Sequence, residues 1–276
     1  MSVTDEVASE VLLRARVGDP VALATLVESV QNRVYSFSLK MCTQPEDAKD
    51  VLQETLLSLV RDIGKFRGDS TLSTWLYTVA RSHCIKKRRR GKHAPQAVLS
   101  WEDEVDQDEV ATDGAALPDE SLSQKQLDEV IKAAIVRLSP PYREVFVLRD
   151  VEGLSANEVA AVVGIGVEAV KSRLHRARLS VREWVAPALD GKILPSQSPG
   201  SCPDVLTLLS KNMEGEISQQ TCADMEKHLA SCSRCRGACD SLRKTLFACR
   251  STAGDEVPKS VQHSVKVALQ QFFSES

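Results

Sequence analysis

The stretch Leu154–Arg178 limits the fold of this chain more than any other. Ser155 is followed three residues later by Glu158, the spacing of a capping box that opens a helix. Val159, Ala160 and Val163 then share one helical face. Gly164 stands where the chain must reverse, a position that often needs positive φ. Val167, Val170 and Leu174 follow at spacings of three and four and anchor a second helix. The outward face of that helix carries Lys171, Ser172, Arg173, His175, Arg176 and Arg178. Two helices joined by a tight turn, the second one basic, predict a helix-turn-helix. Such a helix fits the major groove, where Lys and Arg reach phosphates and guanine edges. An exposed basic helix in an ordinary bundle is the plainer alternative, but it leaves the coincidence of spacing and charge without a cause.

The rest of the chain is also helical in pattern. Apolar residues recur at helical spacing in Val11-Leu12-Ala15, in Ala22-Leu23-Leu26-Val27-Val30 and in Val51-Leu52-Leu56-Leu59. Asp19-Pro20 opens one helix, with Asp as N-cap and Pro at the first helical position. Gln44-Pro45 opens the next. Phe66–Ser70 is a turn, and Ser70 or Thr71 caps a helix from Leu72 to Arg90. A helix over Leu127–Leu138 ends at Ser139-Pro140-Pro141, and Tyr142–Arg149 packs beneath the helix-turn-helix. Aromatics are only 4% of the residues, and no stretch alternates like a strand. The fold class is therefore all-α.

Charge divides the chain further. The net charge of −3 conceals seven Lys and Arg without an acidic residue over Arg81–Lys92, then nine acidic residues without a basic one over Ala94–Glu120. Local patches decide nucleic-acid binding. The acidic segment, with Pro95, Gly114 and Pro118, has the composition of a mobile linker. Pro187, Pro195 and Pro199 mark a second linker. The predicted organisation is a helical unit over residues 1–93, an acidic linker over 94–120, the helix-turn-helix unit over 121–188, a linker over 189–201, a cysteine-bearing unit over 202–250 and a tail over 251–276. An amphipathic helix is expected in that tail over Val261–Phe273. No apolar run reaches the roughly 18–20 residues of a membrane span, and the acidic N-terminus does not read as a secretory signal. The expectation is a cytoplasmic protein without membrane contact. No triad, P-loop or paired-carboxylate site points to an enzyme.

Six of the eight cysteines follow residue 200, which in a cytoplasmic chain points to metal or thiol chemistry. His228 and Cys232 are four apart and share a helix face. Cys235 completes a Cys-x-x-Cys step, and Cys202 lies upstream of a short helix over Pro203–Glu214. One imidazole and three thiolates suit a single tetrahedral Zn²⁺. The residues leave open three buried unliganded thiols, or a redox pair at Cys232 and Cys235. Cys222, Cys239 and Cys249 stand outside the pattern.

Two regions resemble the extracytoplasmic-function sigma factors of the sigma-70 family. Leu138, Pro140, Arg143, Val147 and Leu148, leading into the helix-turn-helix, resemble the family's region 4. The resemblance implies that this unit reads the −35 promoter element and contacts the polymerase β flap. Asp47–Leu56 and Phe66–Arg81 resemble the family's region 2. It implies that Asp47, Asp50, Gln53 and Glu54 dock on the β′ clamp helices of core RNA polymerase. It also implies that the loop Lys65–Thr71, with Arg67, Asp69 and Ser70, holds a flipped −10 base. The run Arg81, Lys86, Lys87, Arg88, Arg89 and Arg90 is expected on phosphates, and Trp75, Leu76 and Val79 in the core. Cys202–Leu246, with the turn Glu214–Ser218, resembles a zinc-binding anti-sigma domain. The acidic segment resembles the family's connector, as a spacer or a nucleic-acid mimic.

These readings converge on an alternative sigma factor with core RNA polymerase and promoter DNA as partners. Its C-terminal metal or thiol unit is expected to contact the sigma modules within the chain and regulate them. The alternative is a metal- or redox-sensing DNA-binding regulator that never joins polymerase.

Overall fold

The structure, a computed structural model, describes residues 3–42, 44–92, 124–190, 202–252 and 256–275. The expected acidic linker and most of the second linker, with Pro195 and Pro199, lie outside the described residues. Every regular element among the described residues is helical. None of these helices is long and apolar enough to cross a membrane.

The first unit is a bundle of α1 (Val3–Arg16), α2 (Pro20–Cys42), α3 (Pro45–Asp62), a 3₁₀ turn (Ile63–Lys65) and α4 (Leu72–Lys92). Asp19 caps α2 as its sequence predicts: its Oδ1 accepts from the backbone N–H of Val21 and Ala22 at 2.9 and 3.2 Å. Thr71 rather than Ser70 caps α4, its Oγ1 accepting from the Thr74 N–H at 3.2 Å. The core is the apolar faces of α2, α3 and α4, including Leu23, Leu26, Phe37, Leu52, Leu56, Leu59 and Leu76. Each fully buried Leu or Phe side chain adds roughly 1.5–3 kcal/mol relative to exposure.

The second unit comprises α5 (Gln124–Arg137), α6 (Pro140–Phe146), a π-helical turn (Val147–Val151), α7 (Ala156–Val163) and α8 (Val167–Asp190). The capping box at Ser155 and Glu158 is formed on both sides. Gly164 takes φ +79 in the turn, a conformation that a Cβ would strain. One boundary differs from the sequence reading. Pro187 lies inside α8, which continues to Asp190. Buried Val181, Val185 and Ala186 hold that last stretch against its neighbours, and packing there outweighs the hydrogen bond that proline cannot donate.

The third unit is α9 (Val205–Met213), α10 (Gln219–Ser231) and α11 (Ser233–Ser251), and α12 (Lys259–Glu275) follows. α11 packs along α8 and the π-helical turn, while α12 returns to the first unit and lies on α3. The Val257 N–H, just before α12, donates to Asn32 Oδ1 on α2 at 3.3 Å. Val257, Val261 and Val265 are buried there. The units thus share one continuous core.

Arg178 ties the third unit to the second. It is 1% exposed. Its Nε and Nη2 donate to the two carboxylate oxygens of Asp150 at 2.9 and 2.8 Å, and Nη2 also meets Glu214 Oε1 at 2.6 Å. Replacing Arg178 with alanine leaves two buried carboxylates facing each other. We expect a loss of about 3–5 kcal/mol, read in a thermal melt as a midpoint lower by roughly 10 °C. An unchanged midpoint contradicts the role given to this triad.

Candidate nucleic-acid interface and metal centre

The basic face of α8 is divided. Ser172 and Arg176 are exposed and Arg173 is half-buried, with the Arg176 Nη1 donating to the Tyr142 hydroxyl at 3.1 Å. The other three expected DNA-binding residues point towards the third unit. Lys171 Nζ lies 3.2 Å from Glu168 and 3.7 Å from Glu216. His175 Nε2 is 3.3 Å from Thr207 Oγ1, and burial lowers its pKa. Arg178 is not on an outward face: it is buried in the triad with Asp150 and Glu214. Its spacing from Lys171 and His175 put it on the same stripe, but the sequence could not show that α9 covers that stripe.

The face of α4 that meets the second unit is also engaged. The hydroxyls of Thr71 and Thr74 donate to Glu158 Oε1 at 3.1 and 3.4 Å. The Tyr77 hydroxyl donates to Glu152 at 2.5 Å, and burial pushes its pKa up, so it remains a donor. Arg81 Nε donates to Glu144 Oε2 at 2.7 Å. Burial raises the Glu144 carboxyl despite the opposing pull of Arg81. These four residues recur every three or four positions, so one side of α4 rests on α6 and α7. The glutamates were missed in the sequence because nothing local distinguishes an acidic residue that meets a distant helix.

The opposite side of α4 faces a cleft of about 790 Å³. The loop residues Arg67, Asp69 and Ser70 line it with Trp75, His83 and Lys86. Gly68, at φ +82, turns the loop, and Phe66 meets Trp75 edge-on at a ring separation of 6.3 Å. Trp75 is half-buried and Leu76 buried. A cleft with aromatic, hydrogen-bonding and basic groups can take a base and its phosphate. Lys86 and Arg89 are exposed, while Lys87 and Arg88 are half-buried. The side chain of Arg90 lies outside the described residues. Lys87 is ion-paired with Asp50 of α3, so two residues expected to meet different partners meet each other. On α3, Glu54 is exposed and Asp47 and Gln53 are half-buried.

The metal-type residues converge as their spacing predicts. One ligand atom from each of Cys202, His228, Cys232 and Cys235 lies within 4.8 Å of the others. A zinc–sulfur bond of about 2.3 Å gives tetrahedral sulfur–sulfur separations near 3.8 Å. Cys232 is the residue between α10 and α11, so the set sits at their junction, and Cys202 brings in the segment before α9. His228 Nε2 is buried and has no hydrogen-bond partner, which is what a metal-binding nitrogen looks like without its ion. The backbone N–H of Cys235 holds the Cys232 thiol below its usual range, while burial pushes the Cys235 thiol up to about 12. A zinc ion would offset the second effect by stabilising thiolate. The donor set fits zinc, which if bound would supply cross-linking rather than catalysis.

Comparison with known proteins finds a family model that matches in each of the three units. The family model "Sigma-70 region 2" matches residues 26–94, "Sigma-70, region 4" matches 128–181 and "Putative zinc-finger" matches 202–236. The RNA polymerase sigma-H factor of Pseudomonas aeruginosa is 29% identical over 67% of this chain and 97% of its own length. The ECF RNA polymerase sigma factor SigW of Bacillus subtilis is 28% identical over 63% and 97%. The ECF RNA polymerase sigma-E factor of Escherichia coli is 29% identical over 67% and 96%. Among solved structures, sigma factor RpoE in complex with the anti-sigma factor NepR from Bartonella quintana aligns with TM-score 0.45 at 25% identity, covering 59% of this chain and 95% of that one.

Metal analysis of the purified chain should find one zinc per molecule. His228→Ala and Cys232→Ser should each weaken zinc binding by at least tenfold, since loss of even an outer-shell partner costs about 10–100-fold. Affinity should fall as pH falls, because protons compete for the thiolates. Retention of a full equivalent of zinc by both variants after mild chelation argues against this centre.

Proposed function

We propose, from the premise that the chain belongs to the extracytoplasmic-function sigma factors of the sigma-70 family, that it is an alternative sigma factor held closed by its own C-terminal unit. Directing transcription initiation is recognition, not bond chemistry. In the open chain, Asp47, Asp50, Gln53 and Glu54 on α3 dock on the β′ clamp helices of core RNA polymerase. Arg67, Asp69 and Ser70 bind the −10 element in the cleft beside Trp75, and Arg81 and Lys86–Arg89 neutralise the phosphates that follow. Lys171, Ser172, Arg173, His175 and Arg176 on α8 read the −35 element while that unit contacts the β flap. Two readers on one chain make the second contact intramolecular, which suits a bipartite promoter. Zinc holds Cys202, His228, Cys232 and Cys235. The site of action is the cytoplasm, where polymerase and promoters are.

One observation carries the closed state. The side of α8 that bears Lys171 and His175 is occupied by Glu216 and Thr207 of the third unit. Carboxylates there take the place that promoter phosphates need, and like charge repels DNA from the same spot. The packing of α4 on α7, and of α12 on α3, favours the same reading, because both helices carry surfaces assigned to DNA or polymerase. Opening is then a population shift: polymerase and promoter select the open form, and the C-terminal unit sets how rare it is.

The test is transcription with purified core polymerase from a mapped promoter. The full chain with Val261→Asp, which places a charge in the buried contact of α12, should co-elute with core polymerase more strongly than the unaltered chain. Glu216→Lys should increase promoter binding, with little loss of stability because this pair is partly exposed. A chain ending at Asp190 should give at least tenfold more run-off transcript, a shift of about 1.4 kcal/mol. Equal transcript from all four proteins defeats the closed-state reading. No co-elution of any of them with polymerase defeats the polymerase-binding reading.

A further inference from the structure

The first unit holds a cysteine pair that neither the promoter readers nor the metal centre uses. Cys42 is the last residue of α2, and Cys84 lies within α4. Their Sγ atoms are 2.6 Å apart, and both are free thiols. Cys84 is 7% exposed, whereas Cys42 is half-buried at a helix end, so solvent reaches one sulfur more readily than the other. Neither belongs to the Cys202 group, the only cluster of three or more metal-type side chains found among the described residues. The pair therefore lacks the further ligands a metal needs. Two thiols in contact, one accessible and one covered, are the arrangement for disulfide formation with an attacked and a resolving sulfur.

We propose that Cys42 and Cys84 form a reversible disulfide in response to hydrogen peroxide, giving the polymerase-binding unit a thiol switch of its own, separate from the metal centre. The Cys42 thiolate attacks a peroxide oxygen. An S–O bond forms, the O–O bond breaks, and the departing hydroxide takes up a proton to leave as water. The Cys84 sulfur then attacks the Cys42 sulfenic acid. The S–S bond forms, the S–O bond breaks, and hydroxide leaves with the Cys84 proton as a second water. The two thiols lose two electrons and the peroxide gains them. The contact with Cys42, and then burial, raise the pKa of the Cys84 thiol, and Cys42 is also the more exposed sulfur, so Cys42 is the one oxidised first.

The placement gives the bond structural weight. It ties the end of α2 to α4 and encloses all of α3, the helix assigned to polymerase. Arg81 stands one turn before Cys84 on α4 and makes the 2.7 Å contact with Glu144 of the second unit. Both residues line, with Met41 and Arg88, the small cavity beside Cys84. The bond thus fixes α4 at the point where the two sigma units meet. That it forms is independent of the promoter reading; that it regulates polymerase binding rests on that reading.

The zinc-loaded full chain is treated with one equivalent of hydrogen peroxide, and its tryptic peptides are mapped without reduction. The expected result is a Cys42–Cys84 linked peptide that dithiothreitol separates. Zinc content stays at one per chain at the earliest times, and the thermal midpoint rises by roughly 10 °C through closure of the long loop. Cys42→Ala and Cys84→Ala should each abolish both the linked peptide and the rise while keeping zinc. The proposal falls if the first cysteines oxidised are those of the metal centre, if Cys42 proceeds to sulfinic acid with Cys84 intact, or if the linked chain melts where the reduced one does. The peptide map on the unaltered chain decides the matter even if a variant folds poorly. Because it needs neither polymerase nor promoter, its failure is distinct from failure of the sigma reading.

Discussion

A single buried guanidinium ties the third helical unit to the second. Arg178 arises from α8, takes both oxygens of Asp150 from the π-helical turn of its own unit, and meets Glu214 at the end of α9. It also donates to the Ser210 carbonyl at 3.2 Å. A planar cation with five donors is suited to such convergence, and a lysine is not. Burying three charges is costly unless each is paired. The triad therefore forms fully only when the third unit is seated, with Arg149 adding a 3.1 Å contact to the same Glu214. Seating and charge satisfaction are one event.

In the proposed closed state, the cover over α8 would imitate the phosphate that it excludes. Lys171, His175 and Arg178 belong to a face whose chemistry suits phosphate, and the third unit offers Glu216, Thr207 and Glu214 in its place. A carboxylate and a phosphate compete for the same donors. Competition of this kind would need no conformational signal inside α8. It needs only that the covering helix stay near and that its hold be of moderate strength. Partly exposed pairs such as Lys171–Glu216 are weak, so most of that hold falls to Arg178 and to the apolar contact of α11 along α8.

The metal centre bears on that hold through α9. Cys202 precedes α9, and the other three ligands lie at the junction of α10 and α11. A bound zinc fastens the segment leading into α9 to the helices behind it. Asp204, Thr207, Ser210 and Glu214 then project from α9 and the residues flanking it towards α8. Loss of such a metal or oxidation of the thiols would loosen the element that covers α8. The Cys42–Cys84 pair, by contrast, sits in the first unit and stiffens rather than releases.

Much of this was legible in the sequence because its causes are local. The capping box at Ser155 and Glu158, the turn at Gly164, the cap at Asp19 and the His-x3-Cys-x2-Cys spacing each act over a single turn of chain, so residue type and interval determine them. The all-α class and the separate helical units follow from the same short periods. What the tertiary structure alone decided is which surfaces meet. The spacing that placed Arg178 beside Lys171 and His175 was right, but only packing could turn that stripe towards α9 and bury its end. Helix α12 was visible as an amphipathic stretch, yet its seat on α3 lies some two hundred residues away in sequence. Cys42 and Cys84 carry no motif, because their interval spans a whole helix and has no period. Short-range rules of hydrogen bonding and helical repeat are written in neighbouring residues; contacts between distant faces depend on the summed shape and charge of the folded units, which no local interval encodes.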